Sequence, residues 1–244
     1  MLKNLSTILL CSAFIFGACG GDDDDNGDGP TTAATYEITL TNKTTGQLMT
    51  PPVVAIHSTD VHLFEVGELA SANVVDIAET GDNAGLVAFA SDAANSASIS
   101  ASGVAGAAPL AANEAATIML TSAEAGQVFS AVNMLICTND GIAGFDSVAL
   151  PLDATPVTYL AKPYDAGSRV NQIDHNSFFP GPCRDQDGVG DPVAVVEAPL
   201  EDPQAVIGAH AGQAGITVHA GAPAGANWDF LTADDVLEVV ITRQ

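Results

Sequence analysis

Two acidic segments, Thr138-Asn139-Asp140-Gly141 and Pro163-Tyr164-Asp165-Ala166-Gly167, hold the residues of this chain best suited to chemistry. Each sets one carboxylate in a tight turn at the end of a β-like run. A hard cation that gathers oxygen ligands from separate loops needs this arrangement, and Ca2+ takes six to eight oxygens at about 2.3–2.6 Å. Two carboxylates leave the remaining positions to main-chain carbonyls, Asn139 or water. The same aspartates also suit Asx-turns that hold loops without metal. A third segment, Asp185-Gln186-Asp187-Gly188-Val189-Gly190-Asp191, alternates aspartates with glycines that permit a sharp bend. It reads either as a short second calcium loop or as a solvated acidic turn.

Histidine offers the rival chemistry. His57 and His62 joined by His210 or His219 would make a transition-metal site, and with the aspartates a metal-dependent hydrolase. No H-E-x-x-H or similar ligand spacing is present, however. His57 beside Ser58 and Asp60 at a strand end also suits a structural hydrogen bond. Ser58 lacks the G-x-S-x-G elbow of an esterase nucleophile, and no glycine-rich strand-to-helix loop carries a lysine for phosphate. The expectation is a binding protein without catalytic activity, the alternatives being a metal-independent structural protein and the hydrolase.

The elements that must position these residues are short strands. Tyr36–Asn42 and Val236–Thr242 alternate apolar and polar residues and frame the domain. Between them lie Val53–His57, Ala116–Thr121, Val128–Ile136, Phe145–Leu150, Val157–Ala161 and Ile216–His219. Seven or more such strands separated by Gly and Pro turns predict an all-β antiparallel sandwich. One or two short helices interrupt it: Ser71 is a suitable N-cap for a helix ending before Gly81, and Asp82–Ala90 is a second candidate. The Ala/Ser/Gly-rich stretch Ala93–Ala112 reads as a long surface connection, and 180–230 as loop-rich.

Net charge is −24, from 30 acids against 6 Lys+Arg. That balance excludes a basic footprint for nucleic acid and disfavours direct docking to anionic lipid headgroups. Residues 1–18 have one lysine, an apolar stretch from Ile8 to Phe16 and small residues before Cys19, which is a secretory leader too short to span a membrane. Phe16-Gly17-Ala18-Cys19 resembles a bacterial lipobox, with Cys19 the lipidated residue; the alternative is an ordinary leader cut near Ala18. Residues 19–35, rich in Asp and Gly, form an acidic flexible tether. The expectation is export and lipid anchoring to the bacterial outer membrane, with surface display as an extension. The membrane is then touched only through the lipid. Cys11 leaves with the leader, so Cys137 and Cys183 remain to form a disulfide or stay as free thiols.

The blocks from Cys137 to Leu150 and from Pro163 to Gly167 resemble, in order, the turn, the glycine-x-aspartate-serine-leucine segment and the proline-tyrosine-aspartate-alanine-glycine segment of the spondin N-terminal domain. Ala55–Asp60 and Ile77-Ala78-Glu79-Thr80-Gly81 resemble its upstream blocks. The resemblance covers roughly 36–244 and fades after Asn171. It implies a C2-like antiparallel β-sandwich with bound calcium, held by Asp140 and Asp165 with Asp146 as a weaker candidate. It also implies adhesion or recognition of an extracellular protein or glycan. Two departures stand out: the third carboxylate of the family aligns near Thr121, and Gly141 replaces the tryptophan of the first turn.

Overall fold

The computed structural model describes residues 33–169, 183, 205–214 and 227–244. Ten strands and two helices appear among them: β1 (Ala34–Asn42), β2 (Val53–His57), α1 (Ala72–Thr80), α2 (Ala84–Ser91), β3 (Ile99–Val104), β4 (Ala115–Ser122), β5 (Val128–Met134), β6 (Gly141–Ala149), β7 (Val157–Ala161), β8 (Pro163–Asp165), β9 (Gly208–Ala209) and β10 (Leu237–Arg243). They build a β-sandwich of two antiparallel sheets, ordered β4-β1-β10-β7 and β3-β2-β5-β6-β8-β9. The terminal strands β1 and β10 pair along their length at the centre of the smaller sheet, from Tyr36↔Arg243 to Asn42↔Leu237. No helix among the described residues is long and apolar enough to cross a membrane.

The smaller sheet is one-sided. β1 alternates buried Tyr36, Ile38 and Leu40 with exposed or half-buried Glu37, Thr39 and Thr41, and its inner residues pack on Val54, Ile56, Phe129 and Phe145 of the larger sheet. The larger sheet is covered on both faces. Its second face, from Val53, Ala55, Val132 and Ile142, meets Val74 and Ile77 of α1 and Leu86 of α2. That double burial explains why β2 and β5 have no exposed position and show little polar alternation.

α1 starts and stops where the sequence says. The Ser71 hydroxyl accepts from the Val74 amide, and Gly81 closes the helix at φ 71°, where a side chain would be strained. One expectation fails: part of Ala93–Ala112 is not a surface connection but strand β3, paired to β2 from Val53↔Val104 to His57↔Ile99. Its small residues hide it because the strand lies under α2 and close to β4. A Cβ on Gly103 would stand 2.8 Å from Cδ1 of Ile118, and the Ser102 hydroxyl donates to the carbonyl of Ala90. The predicted strand Ile216–His219 lies outside the described residues.

Candidate functional site

The two acidic segments meet at one end of the larger sheet. Asp140 ends the turn that follows β5, Asp165 closes β8, and the next residue after Asp140, Gly141, is the register partner of Asp165. Both aspartates are buried. Asp140 Oδ2 accepts from the amides of Ser168 (3.0 Å) and Arg169 (2.9 Å), and its carbonyl accepts from Ala166. Asp165 Oδ1 accepts from the Gly167 amide at 2.7 Å, in an Asx-type turn that Gly167 completes at φ 69°. The second oxygen of each carboxylate, Asp140 Oδ1 and Asp165 Oδ2, is buried and has no hydrogen-bond partner among the described residues.

Two more groups belong to this end of the sheet: Glu79, which sequence reasoning missed, and His210, which it placed instead with His57 and His62 in a transition-metal site. Glu79, in the last turn of α1, forms a nearly buried ion pair with Arg169 at 2.7 Å, and its Oε1 is also without a hydrogen bond. It stood in the sequence within the Ile77–Gly81 block, but nothing in its spacing tied a helix residue to loops 60 and 90 positions away. His210 is buried, its Nδ1 accepts from the Gly212 amide at 3.1 Å, and its ring meets Phe230 edge-on at 4.9 Å. Burial pushes the His210 imidazole down, with the Asp165 charge opposing.

Electrostatically the site is unbalanced. Loss of solvent and then the Asp165 charge push the Asp140 carboxyl up to about 7, against the amides of Arg169 and Ser168; Glu79 adds to the upward push. Two carboxylates that repel each other in a buried place are relieved by a proton or a cation. The free oxygens of Asp140 and Asp165 have the chemistry of a hard-cation site, hard oxygen donors on rigid turns, and so fit calcium. Among the described residues, no three or more His, Cys, Asp or Glu side chains form a complete metal-holding group. A calcium ion there would take its remaining oxygens from other donors.

The scaffold under the Asp140 turn is polar, buried and saturated. The Cys137 amide donates to Gln47 Oε1 at 2.7 Å, while Gln213 Nε2 donates to the carbonyls of Cys137 (2.8 Å) and Trp228 (2.9 Å). Cys137 is joined to Cys183 by a disulfide, with Cα atoms 5.3 Å apart. The Thr138 hydroxyl donates to the carbonyl of Leu135 and accepts from the Gly141 amide. A Cβ at position 141 would lie 2.6 Å from that hydroxyl oxygen, so this turn has no room for the large side chain of the resembling family.

The structure does not bring Asp146 to this group. It lies five residues along β6 from Gly141, about 16 Å for a strand, in a bulge opposite Ser130 where Ser147 takes φ 56°. Asp146 Oδ1 accepts from Nδ1 of His62 at 2.7 Å and from the Ser147 hydroxyl at 3.0 Å. Thr121 is on β4 in the other sheet, its hydroxyl paired with that of Thr35. Asp185, Asp187, Asp191, Cys19 and His219 lie outside the described residues.

Among the described residues the histidines do not assemble. His57 is fully buried; Nδ1 faces the Ser58 carbonyl at 2.8 Å and so donates, which leaves Nε2 to accept from the Ser130 hydroxyl at 2.8 Å. Both nitrogens are used, and burial lowers its pKa. His62 is committed to Asp146. The Ser147 hydroxyl approaches the Nδ1 side of His62, at 3.5 Å, rather than Nε2, the wrong nitrogen for a serine base whose Nδ1 is held by a carboxylate.

A protein-family model described as Spondin_N matches residues 42–173, more than half of the chain, and the match contains Glu79, Asp140, Asp165 and Arg169. A comparison with curated proteins gives no significant match.

Proposed function

This chain belongs to the Spondin_N family, and from that premise we propose that it is an envelope-anchored, calcium-binding adhesion or recognition module without catalytic activity. The observation that carries the reading is the buried pair Asp140 and Asp165, each with one oxygen held by backbone amides and one without a partner. Amide-held carboxylates are pre-oriented, so a cation meets ligands already in place. When bound, calcium would supply positive charge that neutralises the pair and ties the turn after β5 to the end of β8. The chain itself orients the two carboxylates, screens them from solvent and, through the Arg169–Glu79 ion pair, ties α1 to the segment after β8.

Anchoring rests on the leader and on Cys19, and the partner class is an extracellular protein or glycan. Screening immobilised extracellular proteins and glycans tests the reading, using wild type and Asp165→Ala with calcium or with chelator. Binding to a ligand that is lost in chelator and in the variant is the expected result. Equal binding under all conditions would leave recognition independent of the site.

A second reading has its own observation. The hydrogen bonds from Gly167, Ser168 and Arg169 to the two aspartates are sufficient for a purely structural role, in which the turns hold loops in a metal-independent envelope protein. It predicts no calcium effect on thermal stability. The calcium reading predicts stabilisation that grows with concentration, as for any ligand that binds only the folded state.

A further inference from the structure

We propose that the cleft between residues 61–70 and helices α1 and α2 is a docking surface for a protein segment that presents an aliphatic side chain beside a lysine or arginine. The floor is apolar, formed by Leu63, Phe64, Leu86, Phe89 and Ile207, around a volume of about 240 Å³. That is below the size of a pocket for a whole small-molecule ligand and suits one anchoring side chain. The rim is apolar as well. Val66 (47 % exposed), Leu69 (52 %) and Val206 (47 %) project from one knuckle and account for three of the seven large hydrophobic residues exposed among those described. The others, Met119, Leu152, Leu160 and Leu231, are scattered over separate strands and loops, as ordinary surface residues are.

The knuckle is pre-formed. Gly67 turns at φ 97°, its amide donates to the Ile207 carbonyl at 2.8 Å, and the Ile207 amide donates back to Glu68 at 2.8 Å. An isolated bridge joins Leu69 to Val206, and the His62–Asp146 pair fastens the start of the loop to β6. A rigid rim keeps its apolar side chains outward without an ordering cost on binding.

Charge selects the partner. Among the described residues, the cleft is lined by Glu65 and Glu68, both exposed, and by no lysine or arginine. His62 is already committed to Asp146, and the α1 N-terminus is capped by Ser71, whose hydroxyl takes the Val74 amide. Two carboxylates beside an apolar rim, on a chain of net charge −24, favour a cationic flank and repel a second copy of the same face. Its lining contains none of Glu79, Asp140, Asp165 and Arg169, although Ile207 precedes Gly208, the register partner of Asp165, so docking uses no calcium ligand.

Isotope-labelled protein titrated with acetyl-Lys-Leu-Lys-Leu-Lys-amide and with acetyl-Glu-Leu-Glu-Leu-Glu-amide tests this by amide chemical shifts, in calcium and in chelator. Saturable shifts confined to 62–73, 86–89 and 206–207 with the basic peptide alone are expected under both conditions. Binding should weaken at least about tenfold in Glu65→Lys/Glu68→Lys and in Leu69→Ser. It should be unchanged in Glu37→Lys/Glu124→Lys, which alters net charge equally at distant exposed sites. No saturable shifts, equal response to the acidic peptide, or equal loss in the control variant would overturn the proposal. So would cleft shifts that follow protein concentration without peptide, which would identify a second copy as the occupant.

Discussion

Asp140 and Asp165 share one design: an oxygen satisfied by backbone amides, and an oxygen with no hydrogen bond. Such a pair is costly in the buried, ionised state and favourable once a cation lies on it. Asp165→Asn removes half of that charge while keeping an oxygen for the Gly167 amide. In chelator its melting temperature should equal or exceed that of wild type, whereas calcium should stabilise wild type only; a variant stabilised by calcium as strongly as wild type contradicts this. A second residue pair answers to pH. Hydrogen bonding to Asp146 raises the His62 imidazole above its ordinary value. The stabilisation is full below about pH 6.5 and fades as pH climbs through the raised value. Asp146→Asn should therefore cost up to about 1 kcal/mol at about pH 6, less the screening of a partly exposed pair, and less at about pH 9. Equal denaturation midpoints for variant and wild type at the lower pH would remove the ion pair from the account.

At the scale of elements, the strands around the site carry buried polar groups that their patterns concealed. β5 has two polar residues, Ser130 and Asn133, and both are buried: Ser130 on the face shared with Val132 and Met134, which the helices cover, and Asn133 on the face of Phe129 and Ala131, which packs between the sheets. Ser130 is satisfied by His57 and Ser147, but both side-chain amide atoms of Asn133 lack partners among the described residues. Asn133→Val should raise stability by about 1 kcal/mol, measured by urea unfolding followed through Trp228, the single tryptophan and a buried one. A loss of similar size would show that the amide has a role in the fold. The Cys137–Cys183 bridge closes a loop of 46 residues next to the Asp140 turn. Replacing both cysteines with serine should cost about 4 kcal/mol and weaken calcium binding together with stability.

For the whole molecule, the sandwich was legible because Tyr36–Asn42, Val53–His57 and Val157–Ala161 carry strand patterns and turn residues mark their ends. α1 was legible from Ser71 and Gly81. β3 was not, because Ser, Ala and Gly have weak strand signals and their place under α2 is decided by tertiary packing. Asp140 and Asp165 were found because they sit in turns on adjacent strands. Glu79 was not, and His210 was read only as a metal ligand beside His57 and His62, because contact across a fold leaves no local spacing to read. Export and anchoring belong to this scale as well. Growth with an alkyne fatty acid should label the protein at Cys19 and fail in Cys19→Ala; a cut, unlabelled wild-type chain would identify an ordinary secretory leader.

Titration calorimetry of the purified protein with calcium measures whether Asp140 and Asp165 together hold the ion, as proposed above. One saturable binding event is expected, and it should disappear in Asp140→Ala and in Asp165→Ala while both variants retain the fold by circular dichroism. Absence of saturable heat in wild type, or binding left intact by both substitutions, would contradict it.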